Sequence, residues 1–92
     1  MYGVLINPTA GTGYARRVGT LVEEALRVRG ITFETFMTAY PGHAEALARQ
    51  AADRGVKTLF VVGGDGTIFE AARGLSRTEG VLAIIPAGTG ND

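Results

Sequence analysis

The chain has 92 residues, 46% hydrophobic and 20% charged, which suits one small globular domain and excludes two independent cores, a disordered chain or a collagen-like one. Nine Lys plus Arg balance nine Asp plus Glu, so a polyanion-binding surface built on bulk charge is excluded and no nucleic-acid partner is expected. With no Cys and a single His, His43, the chain cannot build a disulfide, a thiolate metal site or a metal site of histidines alone, and a reducing cytoplasm is the expected compartment.

Tyr2 to Ile6 is a short apolar run closed by Asn7-Pro8, which predicts a buried strand, because proline cannot continue the ladder. No apolar run approaches the ~20 residues of a membrane span, and Met1-Tyr2-Gly3-Val4 lacks the basic start of a secretory signal. After a loop from Asn7 to Gly13, the positions Val18, Leu21, Val22, Ala25 and Leu26 recur at helical spacing, and Gly30 ends the helix. Ile31 to Met37 reads as the second strand and is broken by Tyr40-Pro41-Gly42. From His43 a second helix presents Ala44, Leu47, Ala48, Ala51 and Ala52 on one face and stops before Gly55. Thr58 to Val62 is an uninterrupted apolar strand of the kind covered on both faces. Gly63-Gly64-Asp65-Gly66-Thr67 follows as a loop, then a short helix from Ile68 with Ile68, Ala71, Ala72 and Leu75 inward. Val81 to Ile85 is the fourth strand, and Pro86 to Asp92 forms a second glycine-rich segment.

This alternation predicts an α/β fold, a three-layer sandwich in which a parallel, Rossmann-like sheet carries helices on both faces. Ligands of such sheets bind beyond the carboxyl ends of the strands, where the strand order reverses. Glycine makes up 14 of the 92 residues, well above the usual ~7%, and it clusters at those ends. A glycine-rich turn from a buried strand into a helix exposes backbone N–H groups, and the helix N-terminus adds partial positive charge; together they make a phosphate site without a basic side chain. Asp65 is the odd member, because a carboxylate beside phosphate calls for Mg²⁺ or a hydrogen-bond network; capping of the next helix is the alternative.

Other motifs are weaker. Gly11-Thr12-Gly13 starts like a dinucleotide fingerprint, but Arg16 stands where its third glycine belongs, and no Gly-Lys-Ser/Thr of a Walker A loop occurs. His43 reads as a solvated or hydrogen-bonded first-turn residue rather than a catalytic base. Tyr14, Tyr40 and Phe69 could border a base-stacking surface, although scattered aromatics are more often packing residues. Arg16 and Arg17 could steer a nucleotide or meet an anionic membrane, although such residues are usually a solvated helix face.

Three segments taken together are more specific: Asn7-Pro8-Thr9-Ala10-Gly11, Gly63-Gly64-Asp65-Gly66-Thr67, and Pro86-Ala87-Gly88-Thr89-Gly90-Asn91-Asp92. With Thr38 and Gly42-His43-Ala44 they resemble the nucleotide-binding lobe of the diacylglycerol kinase family of lipid kinases, over the whole chain. The Gly-Gly-Asp-Gly-Thr element is shared with NAD kinases and phosphofructokinases, whereas the closing Gly-Thr-Gly-Asn-Asp favours the lipid kinases. The resemblance implies Mg²⁺-dependent transfer of the ATP γ-phosphoryl group to a lipid hydroxyl, in a cleft between this lobe, residues 1–92, and a β-rich domain beyond Asp92.

By the family pattern Asn7, Pro8, Thr9, Ala10, Gly11, Thr38, Gly63, Gly64, Gly66, Thr67, Glu70, Gly88 and Thr89 would surround ATP, and Asp65 would serve catalysis in the phosphate and metal network. Phe69 departs from the pattern, which usually has a polar residue there. The general base, the metal-holding acids and most of the lipid surface would lie in the second domain, so the lobe alone should be inactive. Peripheral contact at the inner membrane face and self-association into a homodimer are further implications. Two rivals stay open: the nucleotide lobe of an NAD kinase relative, and a non-catalytic phosphate-binding α/β module.

Overall fold

A computed structural model describes residues 1–87. The elements are β1 (Tyr2–Ile6), α1 (Tyr14–Val28), β2 (Phe33–Met37), α2 (His43–Asp53), β3 (Thr58–Gly63), α3 (Asp65–Leu75) and β4 (Val81–Pro86), with one 3₁₀ turn at Ala10–Gly13. All four strands are parallel, in the order β2-β1-β3-β4. The register sets Ile6 opposite both Met37 and Val62, so the strands end together at one rim. This is the expected α/β sandwich.

Alternation along the strands divides the core between the two faces of the sheet. Leu5, Phe36, Leu59 and Val61 pack on Ala44, Ala48 and Ala51 of α2 and Ala71 and Leu75 of α3. Val4, Ile6 and Val62 pack on Ala15 and Leu26 of α1, with Val18 and Val22 beside them. β3 is thus covered on both faces, as its unbroken apolar run predicts.

Two helices sit differently from their apolar pattern, for one reason. Leu21 is 68% exposed and Ala25 is exposed, whereas Gly19 is buried. A Cβ at Gly19 would overlap the Ile6 side chain, so α1 approaches the sheet along Gly19, and Leu21, about 200° further round, points away. In α3 the buried residue is Gly74 and not Ala72, again two positions apart. A Cβ there would strike the Glu45 carbonyl, so Gly74 is what lets α3 lie against α2.

Boundaries also move. Ile31 and Thr32 are not part of β2: Gly30, at φ 71°, donates its N–H to Arg27 O and Ile31 donates to Leu26 O, a Schellman closure of α1. Gly55 and Val56 close α2 in the same way on Ala52 and Ala51. α3 begins at Asp65 rather than Ile68, because the Ile68 N–H already bonds to Gly64 O. β4 runs on through Pro86, paired with Gly63 at the sheet edge, where a missing N–H costs least.

Candidate phosphate-binding cleft

The strand order reverses between β1 and β3, and the loop from Asn7 to Gly13 meets the turn from Gly63 to Thr67 there. Asn7 joins them. Its N–H donates to Val62 O at 3.1 Å, and its side-chain amide donates to the Thr67 hydroxyl at 2.9 Å, across sixty residues of sequence. Its carbonyl oxygen accepts from the Thr9 hydroxyl at 3.2 Å. Thr67 is 7% exposed, and Gly63 lies directly beneath it: a Cβ at Gly63 would come within 2.9 Å of the Thr67 Cβ. The first turn of α3 is therefore fixed to the end of β1.

Gly64 is the N-cap of α3 and brings no capping side chain, so the N–H groups of Asp65, Gly66 and Thr67 have no partner within the helix. The caps of α1 and α2 are also glycines, Gly13 and Gly42, without side-chain cap bonds. Three uncapped helix N-termini thus converge on one rim, each with its positive dipole end. Before α1, Gly11, Thr12 and Gly13 are all left-handed, with φ of 62°, 51° and 95°, which folds the backbone tightly above β1.

Between these turns lies a cleft of about 460 Å³. Of the residues expected at the site, Asn7, Thr9, Ala10, Gly11, Thr38, Gly64, Gly66, Thr67 and Glu70 line it. Gly63 packs beneath Thr67, and Pro8 is half-buried and does not line the cleft. Gly88 and Thr89 fall outside the described residues. Among the described residues the lining holds no Lys or Arg and Glu70 is its one carboxylate, so attraction for an anion rests there on N–H groups and helix ends.

Asp65 corrects the capping reading made from sequence. It is exposed, it is the first helical residue rather than the cap, and its carboxylate is not among the lining groups. Its negative charge on the first turn favours the helix without closing it. Phe69 is 63% exposed under the Arg73 guanidinium, and Tyr14 lies beneath Arg17; neither borders the cleft. Sequence reasoning left out Ala39, Pro41 and Gly42, which complete the wall after β2. The signal for them was the Pro41-Gly42 turn. His43 is hydrogen-bonded as expected, its Nδ1 accepting the Ala39 N–H at 2.9 Å.

Among the described residues no cluster of three or more His, Asp or Glu could hold a metal ion, and no helix is long and apolar enough to cross a membrane.

Residues 1–92 match the model of the diacylglycerol kinase catalytic domain family. The chain is 41% identical over 92 residues to "Putative lipid kinase YtlR" of Bacillus subtilis, covering 96% of this chain and 30% of that protein. It is 35% identical over 88 residues to "Diacylglycerol kinase" of Mycobacterium tuberculosis, covering 96% of this chain and 28% of the relative. A solved structure titled "A putative diacylglycerol kinase from Bacillus anthracis str. Sterne" superposes with a TM-score of 0.81 at 33% identity, over 99% of this chain and 33% of that one. The chain therefore spans about a third of the length of these proteins.

Proposed function

The chain belongs to the diacylglycerol kinase catalytic domain family, and from that membership we propose that it is the nucleotide-binding lobe of a kinase that passes the γ-phosphoryl group of ATP to a lipid hydroxyl such as that of diacylglycerol. The acceptor oxygen attacks the γ-phosphorus, the bond to the β,γ-bridging oxygen breaks, ADP leaves, and the hydroxyl proton passes to a base. Such a transfer needs positioning and charge neutralisation more than covalent help from the protein.

The observation that carries this reading is the uncapped start of α3 at the strand-order reversal, held by the Asn7–Thr67 bond. Its free N–H groups suit phosphate oxygens, and Thr67, which already accepts from Asn7, still has a hydroxyl proton to donate. Asn7 to Gly11 would enclose the phosphates from the β1 side, with Thr38 and Glu70 further along the cleft. Gly88 and Thr89 are assigned to the same site by the family pattern.

Mg²⁺ neutralises charge on the β- and γ-oxygens when bound. One lining carboxylate, Glu70, fits an ion carried mainly on phosphate and water rather than caged by protein. Asp65 would reach such an ion only from outside the present wall. The general base and the lipid-binding surface, with its membrane contact, are assigned to a second domain within the two-thirds of the relatives that this chain does not span.

The test uses the intact protein with labelled ATP, Mg²⁺ and dispersed diacylglycerol. Labelled phosphatidic acid is expected; a protein that labels NAD and no lipid would overturn the proposal. The 92-residue chain alone should bind Mg·ATP, shifting the amides of Gly64, Gly66 and Thr67, and should not label lipid. Amides that stay in place under saturating Mg·ATP would remove the nucleotide site.

A further inference from the structure

The cleft continues past the part that phosphate would occupy. From the first turn of α3 it crosses the end of β1 to the turn after β2, two strands away, or about 10 Å at the usual strand spacing. An extended nucleoside triphosphate with its phosphates at α3 places its base at that far end.

Tyr40 stands there. It lines the cleft and is 59% exposed, yet its ring is not loose: it stacks on the His43 imidazole with centroids 4.2 Å and planes 14° apart. His43 is itself held, as the first residue of α2 and as acceptor of the Ala39 N–H. It is half-buried and does not line the cleft, so it backs the phenol from behind the wall. Gly42, at φ 91°, makes the turn that brings the two rings together. No other aromatic side chain borders the cleft among the described residues.

We propose that Tyr40 is the platform on which the base of the bound nucleotide stacks, and that it favours a purine over a pyrimidine. This rests on the nucleotide reading of the cleft and adds the base to it. Stacking on an aromatic face accepts any base, and the larger bicyclic ring overlaps more of the phenol. A ring already fixed by His43 loses little freedom when a base settles on it, which raises its worth for binding.

Calorimetric titration of the intact protein with Mg·ATP, Mg·CTP and Mg·tripolyphosphate, which has no base, tests the platform. Tyr40→Ala should weaken ATP binding about tenfold or more and leave tripolyphosphate binding within about twofold. Tyr40→Phe should retain ATP binding, and the preference for ATP over CTP seen in the native protein should vanish in the alanine variant. An unchanged ATP affinity in Tyr40→Ala, or equal losses for ATP and tripolyphosphate, would overturn the platform. Native protein that binds tripolyphosphate as tightly as ATP removes the platform and leaves the phosphate site standing. Native protein that binds neither removes both.

Discussion

The two rims of the sheet use glycine in opposite ways. At the amino rim, Gly30 and Gly55 take left-handed turns that close α1 and α2, and the last carbonyls of the helices find partners there. Arg49 and Thr78 do the same for α3, on Gly74 O and Leu75 O. At the carboxyl rim, Gly13, Gly42 and Gly64 stand where Ser, Thr, Asp or Asn would normally cap a helix; the first N–H groups of α1 and α2 bond back to Ala10 O and Tyr40 O, and those of α3 have no partner within the helix. One residue type thus completes one end of the domain and leaves the other receptive, and the difference lies in whether the neighbouring main-chain groups already have partners.

Four substitutions put this contrast at risk, beginning with the largest. Gly63→Ala pushes a methyl group into Thr67, so it should cost about 1–3 kcal/mol in urea denaturation and abolish detectable Mg·ATP binding by displacing the start of α3. Gly55→Ala, at φ 94° on the other rim, should cost about 1–2 kcal/mol of stability with ATP affinity unchanged. If it weakened ATP as much as Gly63→Ala does, the rims would not be separate in function. Asn7→Ala removes the link from β1 to α3 and should cost about 1 kcal/mol by thermal melting, together with a loss of ATP affinity. Gly64→Ser, at an extended backbone that serine adopts freely, is the sharpest case despite its small size. Its hydroxyl can cap α3, so stability should rise by a few tenths of a kcal/mol, roughly, while ATP binding weakens. A rise in both would show that the open N–H groups are not what grips phosphate.

Periodicity and turn residues placed every strand and α-helix of the described chain, though not the 3₁₀ turn at Ala10–Gly13, because apolar spacing and Gly or Pro breaks act locally. What they missed is non-local. Gly19 and Gly74 have no hydrophobic signature, yet they decide which side of α1 and α3 faces inward, since closeness of backbones is set by the partner element. Asp65 to Thr67 look like loop because glycine disfavours helix, but packing on Gly63 and the bond from Asn7 draw them into the first turn of α3. The glycine-rich segments marked the rim. That Asn7 would meet Thr67, or that Tyr40 would lie on His43 at the cleft instead of in the core, depended on the strand order.

The central position of β1 has a consequence for how the domain comes into being. Its neighbours, β2 and β3, are both made after it, and β3 begins at Thr58, roughly fifty residues later. At about 5–20 residues per second of synthesis, Val4, Leu5 and Ile6 wait several seconds, roughly, for the strand that completes their shelter. During that interval a newborn chain carries these apolar residues uncovered, and a chaperone that meets emerging polypeptide would find a handle there.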